Sequence, residues 1–247
     1  PEPVLMSEDT PMTDYQYDID NVAGIDKLRD RMADAGDDIT AWSHILSDYL
    51  QFGNNKISKT VAIFNMNSAS DCPNRESENC QVPWESCYAG KAERQYNQVL
   101  PYRRRQEYLW DCMTADMFAR AFEMLVSRKR NDVTAIRFSE AGDFRSDADV
   151  IKVNRIAELV DVDVYTYSAS DYLNWSNADS FTVNQSNDFR EYGDRRFTAL
   201  PEGSDLPEDT VWCPFDYSDK SGDDRPKCGE CRLCIDAEGP DVAIELH

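Results

Sequence analysis

Residues 134–168 read TAIRFSEAGDFRSDADVIKVNRIAELVDVDVYTYS, a strand, a helix and a second strand in succession. Thr134-Ala-Ile-Arg-Phe-Ser-Glu140 is a short apolar run that stops at Gly142-Asp143-Phe144. Asp147 is placed to cap a helix over 148–160, whose buried face is Val150, Val153, Ile156, Ala157 and Val160. Val162-Asp-Val-Tyr-Thr-Tyr-Ser168 then returns to strand character. Two strands joined through a helix run parallel, because the crossover carries the chain back to the edge it left.

Working outward, Thr60–Met66 predicts an earlier buried strand, Phe181–Asn184 and Phe197–Leu200 predict later ones, and a short Thr210-Val-Trp-Cys213 leads to the terminal cysteine loop. Helices are predicted where apolar residues recur at helical spacing. Ile25, Leu28 and Met32 form one such face. After Gly36, Asp37 or Asp38 caps a second helix carrying Ile39, Trp42, Ile45, Leu46 and Leu50, which ends at Gly53. A third runs from about Tyr88 to Gln98. A long fourth runs from near Arg103 to Lys129, with Leu109, Met113, Met117, Phe118, Phe122 and Leu125 as its stripe. The fold class is therefore α/β: a parallel sheet or incomplete β/α barrel with covering helices, a helical N-terminal region and a Cys-rich C-terminal loop. The chain divides into an acidic arm (1–20), the helical region (21–55), an α/β core with a three-cysteine loop (56–212) and a four-cysteine metal-binding tail (213–247).

With 247 residues the chain buries roughly three quarters of its extended surface and needs no disulfides for a core. Its 41% hydrophobic content argues against global disorder. No apolar run approaches the ~20 residues of a membrane span, and no basic-then-apolar leader precedes Pro1. The expectation is a cytoplasmic protein without membrane partners. The net charge is −21, built from 31 Asp and 16 Glu against 18 Arg and only 8 Lys. An Asp-dominated, Lys-poor surface suits molar salt, where the Debye length falls to about 3 Å and self-repulsion is screened. A high-salt organism or its virus is the expected source.

Seven of the eight cysteines fall in two groups. Cys228-x2-Cys231-x2-Cys234 places three thiols in one short loop, Gly229 allows the tight turn, and Cys213 with Pro214 is a natural fourth ligand. Four thiolates fit tetrahedral zinc or a [4Fe–4S] cluster. The tandem spacing leans to iron–sulfur, since zinc sites usually pair two separated CxxC knuckles. Cys72, Cys80 and Cys87 form the first group; three thiolates cannot close a four-iron cluster and would leave one iron open. A zinc site completed by Asp71, or by a cysteine of the other group, is the alternative there. Cys112, alone in a helical stretch, reads as a structural thiol.

Chemistry in parallel sheets sits where the strands end at their carboxyl edges. Polar residues collect at those ends here: Asn65, Asn67 and Ser68; Ser139, Glu140 and Asp143; Ser168 and Ser170; Asn184 and Ser186.

The order of these parts resembles the phage gene product 88 domain family, found in viruses and prokaryotic genomes. The resemblance runs from Thr60 to Cys234. Its carriers are Cys87-Tyr88-Ala89, Arg137-Phe-Ser-Glu-Ala-Gly-Asp-Phe144, Tyr165-Thr-Tyr-Ser168, Val183-Asn184 before Arg196–Leu200, and the closing cysteine set. That family implies no settled biochemical function. A weaker, architectural resemblance is to radical S-adenosylmethionine enzymes, which follow the first barrel strand with a three-cysteine loop and the next with a Gly-Gly-Glu type motif. Cys72-x7-Cys80-x6-Cys87 is much wider than their C-x3-C-x2-C. What this resemblance implies is an open-site [4Fe–4S] cluster and bound S-adenosylmethionine, with Glu140 and Asp143 on its amino group or on a polar substrate. Ser168 and Asn184 line the same rim.

Two other readings stand beside this enzyme. In one, both cysteine sites are zinc or cluster staples of a nucleic-acid-binding protein. Arg103, Arg104 and Arg105 with Tyr108 and Trp110, or Arg128 with Lys129 and Arg130, would then grip phosphates and stack on bases. In the other, the chain is a structural component of viral or mobile-element origin whose acidic arm docks a protein partner.

Overall fold

The computed structural model describes residues 17–75, 79–80, 82–128, 132–186, 192–217 and 224–245. Eight strands form one sheet: β1 (Gln51–Phe52), β2 (Val61–Phe64), β3 (Ala135–Phe138), β4 (Asp163–Ser168), β5 (Thr182–Ser186), β6 (Arg195–Leu200), β7 (Thr210–Trp212) and β8 (Asp241–Glu245). Their order is β1-β2-β3-β4-β5-β6-β8-β7. Among the described residues only the β1–β2 pair is antiparallel. The uninterrupted order β2 to β6 is that of a singly wound, barrel-like sheet, in which right-handed crossovers place the connecting helices on one face.

Burial follows that geometry. Residues of alternate parity on the strands face opposite ways. Ala62, Phe64, Ile136, Phe138, Val164 and Val183 pack against the helices in one large core. Val61, Ile63, Ala135 and Tyr165 face the other way and pack against Ile57, Ile235 and Cys228. The cysteine-bearing tail therefore covers the face that the helices leave free. The main core centres on Phe64, whose ring meets Phe118 at 5.2 Å, Trp110 at 6.0 Å and Phe138 at 6.3 Å.

Among the described residues seven α-helices accompany the strands: α1 (Ile25–Ala35), α2 (Ile39–Tyr49), α3 (Tyr88–Gln95), α4 (Val99–Cys112), α5 (Ala115–Arg128), α6 (Asp147–Leu159) and α7 (Cys228–Cys231). Asp38 caps α2 by accepting from the Thr40 N–H at 2.8 Å. The single long helix expected from Arg103 to Lys129 is two helices. Thr114 interrupts it: its hydroxyl accepts from the Met117 N–H at 3.2 Å and its carbonyl from Phe118 at 3.0 Å, starting α5 afresh. Helix α3 likewise stops at Gln95, short of the expected Gln98. Ser146, not Asp147, occupies the cap position of α6; Asp147 instead accepts from the Asn174 N–H at 2.8 Å.

Two strands lie outside the sequence expectation. β1 follows α2 directly and pairs with β2. β8 comes from the tail and inserts between β6 and β7, so β7 is held to the sheet through β8. No helix among the described residues is long and apolar enough to cross a membrane.

Candidate metal centres

The carboxyl rim is organised by two asparagines that follow β2. Asn65 Oδ1 accepts from the Ala141 N–H at 2.8 Å. Asn67 Oδ1 accepts from the Asp143 N–H at 2.9 Å, and its Nδ2 donates to the Asp143 carbonyl at 2.8 Å. These bonds shape the 139–144 loop, whose turn needs positive φ at Ser139 (57°) and Gly142 (71°). Asp143 is the hub. Its Oδ1 accepts from the Phe144 N–H and the Ser168 hydroxyl, both at 2.7 Å. Its Oδ2 accepts from Asn74 Nδ2 and the Ala169 N–H, both at 2.8 Å. Burial pushes the Asp143 carboxyl up, and these four donors oppose the shift. One carboxylate thus ties together the loops after β2, β3 and β4.

Cys72, Cys80 and Cys87 hang from the first of those loops. The Cys87 Sγ accepts the Gly90 N–H at 3.4 Å and caps α3. Gly90 is required there, since a Cβ would sit 2.4 Å from the Trp84 ring. The loop is pinned by α3 and α4. Glu93 accepts from the Ala69 N–H at 2.8 Å and the Ser70 N–H at 2.9 Å, and Arg103 closes on Glu93 at 2.6 Å. Arg104 holds Asp71 through two bonds of 2.8 and 2.9 Å, with its guanidinium 4.0 Å from the Tyr17 ring centre. Burial pushes the Cys72 thiol well above its ordinary value, and Asp143, Cys80 and Cys87 add to it. Burial raises Cys80 as well, with Cys87 acting in the same direction. The three thiols and Asp143 therefore share one electrostatic neighbourhood at the rim.

The second group lies under the sheet. Cys213 follows β7 and its N–H donates to the Ala243 carbonyl of β8 at 2.8 Å. The Cys228 N–H donates to the Lys56 carbonyl at 3.1 Å, anchoring α7 beside the start of β2. Gly229 passes so close that a Cβ would lie 2.6 Å from Thr60 Oγ1. Cys213, Cys228, Cys231 and Cys234 line one cavity together with Lys56, Tyr167, Phe215 and Ile235. Burial raises the Cys213 and Cys228 thiols. It takes Cys234 to about 12, against a hydrogen bond from Tyr167. Lys56 bonds Asp216 at 2.6 Å; burial acts against its charge, but Cys213, Asp216 and Cys228 outweigh it and its pKa rises.

All eight cysteines are free thiols. Among the described residues, no three His, Cys, Asp or Glu side chains are already arranged to hold a metal ion. The donor set nevertheless suits a thiolate-bound metal. Four thiols, soft donors by type, line one cavity. Arg137 lies inside β3, and the alternation that separates it from Ile136 and Phe138 marks it as facing the tail.

The remaining candidates are placed as follows. Glu140 accepts from Asn54 Nδ2 at 2.6 Å, while its backbone carbonyl accepts from the Tyr88 hydroxyl. Ser168 is engaged with Asp143, and Asn184 Nδ2 donates to the Thr166 and Cys234 carbonyls, both at 2.9 Å. Asn184 thus belongs beside the second cysteine group, not with Glu140 at the rim. Arg105 bonds the Ala23 carbonyl and the Tyr49 hydroxyl, so all three arginines of the 103–105 run hold internal partners. Lys129, Arg130 and residues 1–16 of the acidic arm lie outside the described residues. Cys112 is half-buried at the end of α4, its thiol raised by burial and hydrogen-bonded to Tyr108.

Neither curated proteins nor solved structures offer a match to this chain. A protein family does: residues 41–185 match Gene product 88. The matched span runs from α2 to β5 and contains the three-cysteine loop, the 139–144 loop and the Asp143 hub. It ends before β6, so the four-cysteine tail lies beyond it, and nothing in the comparisons supports the radical S-adenosylmethionine resemblance. The match covers more than half of the chain, which belongs to the gene product 88 family.

Proposed function

We propose that this protein is an iron–sulfur protein with two centres: a four-thiolate centre at Cys213, Cys228, Cys231 and Cys234, and an open three-thiolate centre at Cys72, Cys80 and Cys87. The observation that carries the reading is that cysteines 15 residues and more apart in the chain, Cys213 and the 228–234 set, line a single cavity. When bound, such clusters supply one-electron chemistry. The chain's own residues divide the work. The tail shields the inner centre from solvent and places it for electron relay. Asp143 holds the rim loops in register, so the open centre faces the carboxyl edge of the sheet, where Glu140 and Ser139 meet a polar substrate. The arginine run at 103–105 favours no nucleic-acid reading, since each guanidinium has an internal partner.

The test is iron and sulfide content with visible and EPR spectra, on protein purified without oxygen in molar KCl. About eight iron and eight sulfide per chain are expected for two four-iron clusters. Cys87→Ala should remove about half of each and leave the fold intact. An EPR signal that shifts on adding S-adenosylmethionine would identify the ligand of the open iron. One or two zinc without visible absorption would end the iron–sulfur reading.

A further inference from the structure

Among the described residues, the two most exposed aromatic rings both stand at the carboxyl edge of the sheet. Tyr88 opens α3 and is 60% exposed; Tyr172, in the loop after β4, is 53% exposed. Each is pinned by its hydroxyl to the same loop. Tyr88 donates to the Glu140 carbonyl and Tyr172 to the Phe144 carbonyl at 3.4 Å. The 139–144 loop thus presents a fixed ring towards either end, and the two carbonyls, four residues apart, are separated by at most about 14 Å. Apolar rings held open to solvent and rimmed by polar groups mark a contact surface.

Cations without a carboxylate partner flank the rings. Arg75 and Arg94 lie over the Trp84 ring, 4.4 and 4.7 Å from its centre, and Trp84 packs on α3 at Gly90. Arg75 donates to the Ser70 carbonyl at 2.8 Å, and Arg94 to the Trp84 and Glu85 carbonyls at 3.1 and 3.2 Å. Neutral acceptors leave both guanidinium charges uncompensated. Lys91 is exposed between Tyr88 and Arg94, three residues from each on the same face of α3. The acids of this edge are by contrast engaged: Asp71 with Arg104, Glu93 with Arg103, Glu140 with Asn54, and Asp143 with its four donors. Glu85 is the exception, exposed on the cysteine loop. In a chain of net charge −21, three cations kept out of ion pairs beside exposed rings complement an anion that also offers flat faces.

We propose that this edge binds single-stranded nucleic acid, with Tyr88 and Tyr172 stacking on bases and Arg75, Lys91 and Arg94 meeting phosphates. A single strand offers unstacked bases and a phosphate chain together. A duplex keeps its bases stacked and leaves the rings unused, and an acidic polypeptide brings charge on carboxylates without the flat faces. Because the hydroxyls already fix the rings, little side-chain freedom is lost on binding. The surface borders the edge that the open centre proposed above faces, yet it requires no metal. It is also separate from the 103–105 run, whose guanidiniums hold internal partners.

The experiment is fluorescence anisotropy of the full chain with labelled oligothymidylate and oligouridylate of about 12 nucleotides, over a range of KCl concentrations. Saturable binding is expected, with log K falling against log salt at a slope of about −2 for three phosphate contacts. Lys91 makes no bond or ion pair among the described residues, so Lys91→Gln spares the fold and should flatten that slope by about 0.7. Tyr88→Ala and Tyr172→Ala should each weaken binding roughly 5- to 150-fold. Tyr88→Phe and Tyr172→Phe keep the ring and should stay close to wild type. Arg155→Gln, at a surface ion pair with Asp116 and Glu158, should change nothing. Circular dichroism reports folding, and if an Ala variant does not fold, the Lys91→Gln slope decides. The proposal is overturned if neither oligonucleotide saturates, if folded Ala variants bind like wild type, or if the Phe variants lose as much as Ala. It is equally overturned if a matched duplex or polyglutamate competes as well as the single strand. Tighter oligouridylate assigns RNA and tighter oligothymidylate assigns DNA, and either supports it. Metal content read on the same sample separates the two failures: binding that persists in metal-free protein stands while the iron–sulfur reading falls.

Discussion

Gly142→Ala is the substitution the rim should tolerate least. Its φ is +71°, and an added Cβ would lie 1.5 Å from Asn67 Oδ1 and 2.6 Å from Asn67 Cγ. Asn67 is fully buried and cannot keep both bonds to Asp143 while moving clear. The left-handed conformation alone costs an alanine roughly 1–2 kcal/mol. Two buried groups left without partners add about 1–3 kcal/mol each. Gly203→Ala separates the two contributions, because Gly203 has φ +75° with nothing within 4 Å of the Cβ. The expected difference between the variants is thus about 4 kcal/mol, against a total stability on the order of 5–15 kcal/mol. Urea unfolding followed by tryptophan fluorescence measures both, with equal slopes required for the comparison. If Gly142→Ala loses no more than about 1 kcal/mol beyond Gly203→Ala, the asparagine clamp is not what shapes the loop.

Other expectations follow from the same contacts. Burial pushes Glu107 from 4.5 up to about 7, against Arg145 and the Tyr17 hydroxyl. Its folded pKa lies above the unfolded one, so the stability it contributes is present below about 4.5 and is lost as pH rises through about 7. Relative to Glu107→Gln, wild-type stability should fall by up to about 3 kcal/mol across that window; parallel curves would refute the assignment. Glu93→Ala strands Arg103 and releases the Ala69 and Ser70 N–H groups, costing roughly 3–5 kcal/mol and speeding alkylation of Cys72. Unchanged thiol reactivity would show that the pair does not hold the loop. The net charge of −21 predicts a melting temperature that climbs from low salt to molar KCl, and a flat dependence would remove the argument for a salt-adapted surface.

Much of the sheet was legible because β2 to β6 are apolar runs divided by turns and amphipathic stretches, and parallel pairing follows from the crossovers. β8 was not. Asp241-Val-Ala-Ile-Glu245 is short, follows a loop, and becomes a strand only because β6 and β7 offer ladders on both sides. The break at Met113–Thr114 was hidden since the apolar stripe continues through it, from Leu109 to Phe118. Cysteine spacing announced two groups, as thiols at short intervals have few other uses. The Arg103–Arg105 run misleads in the other direction: in one dimension it is a basic patch, yet its carboxylate partners lie 10 and 33 residues away.

The insertion of β8 between β6 and β7 sets a timetable for synthesis. Cys213 leaves the ribosome well before Cys228, yet β7, the strand that leads into it, pairs only with β8. Until residues 241–245 have emerged, Cys213 has no ladder to fix it and cannot be presented to Cys228, Cys231 and Cys234. The cavity that the four tail cysteines line is therefore completed after translation has passed Glu245, whereas the rim cysteines can be organised by β2, β3 and α3 while the ribosome is still at work.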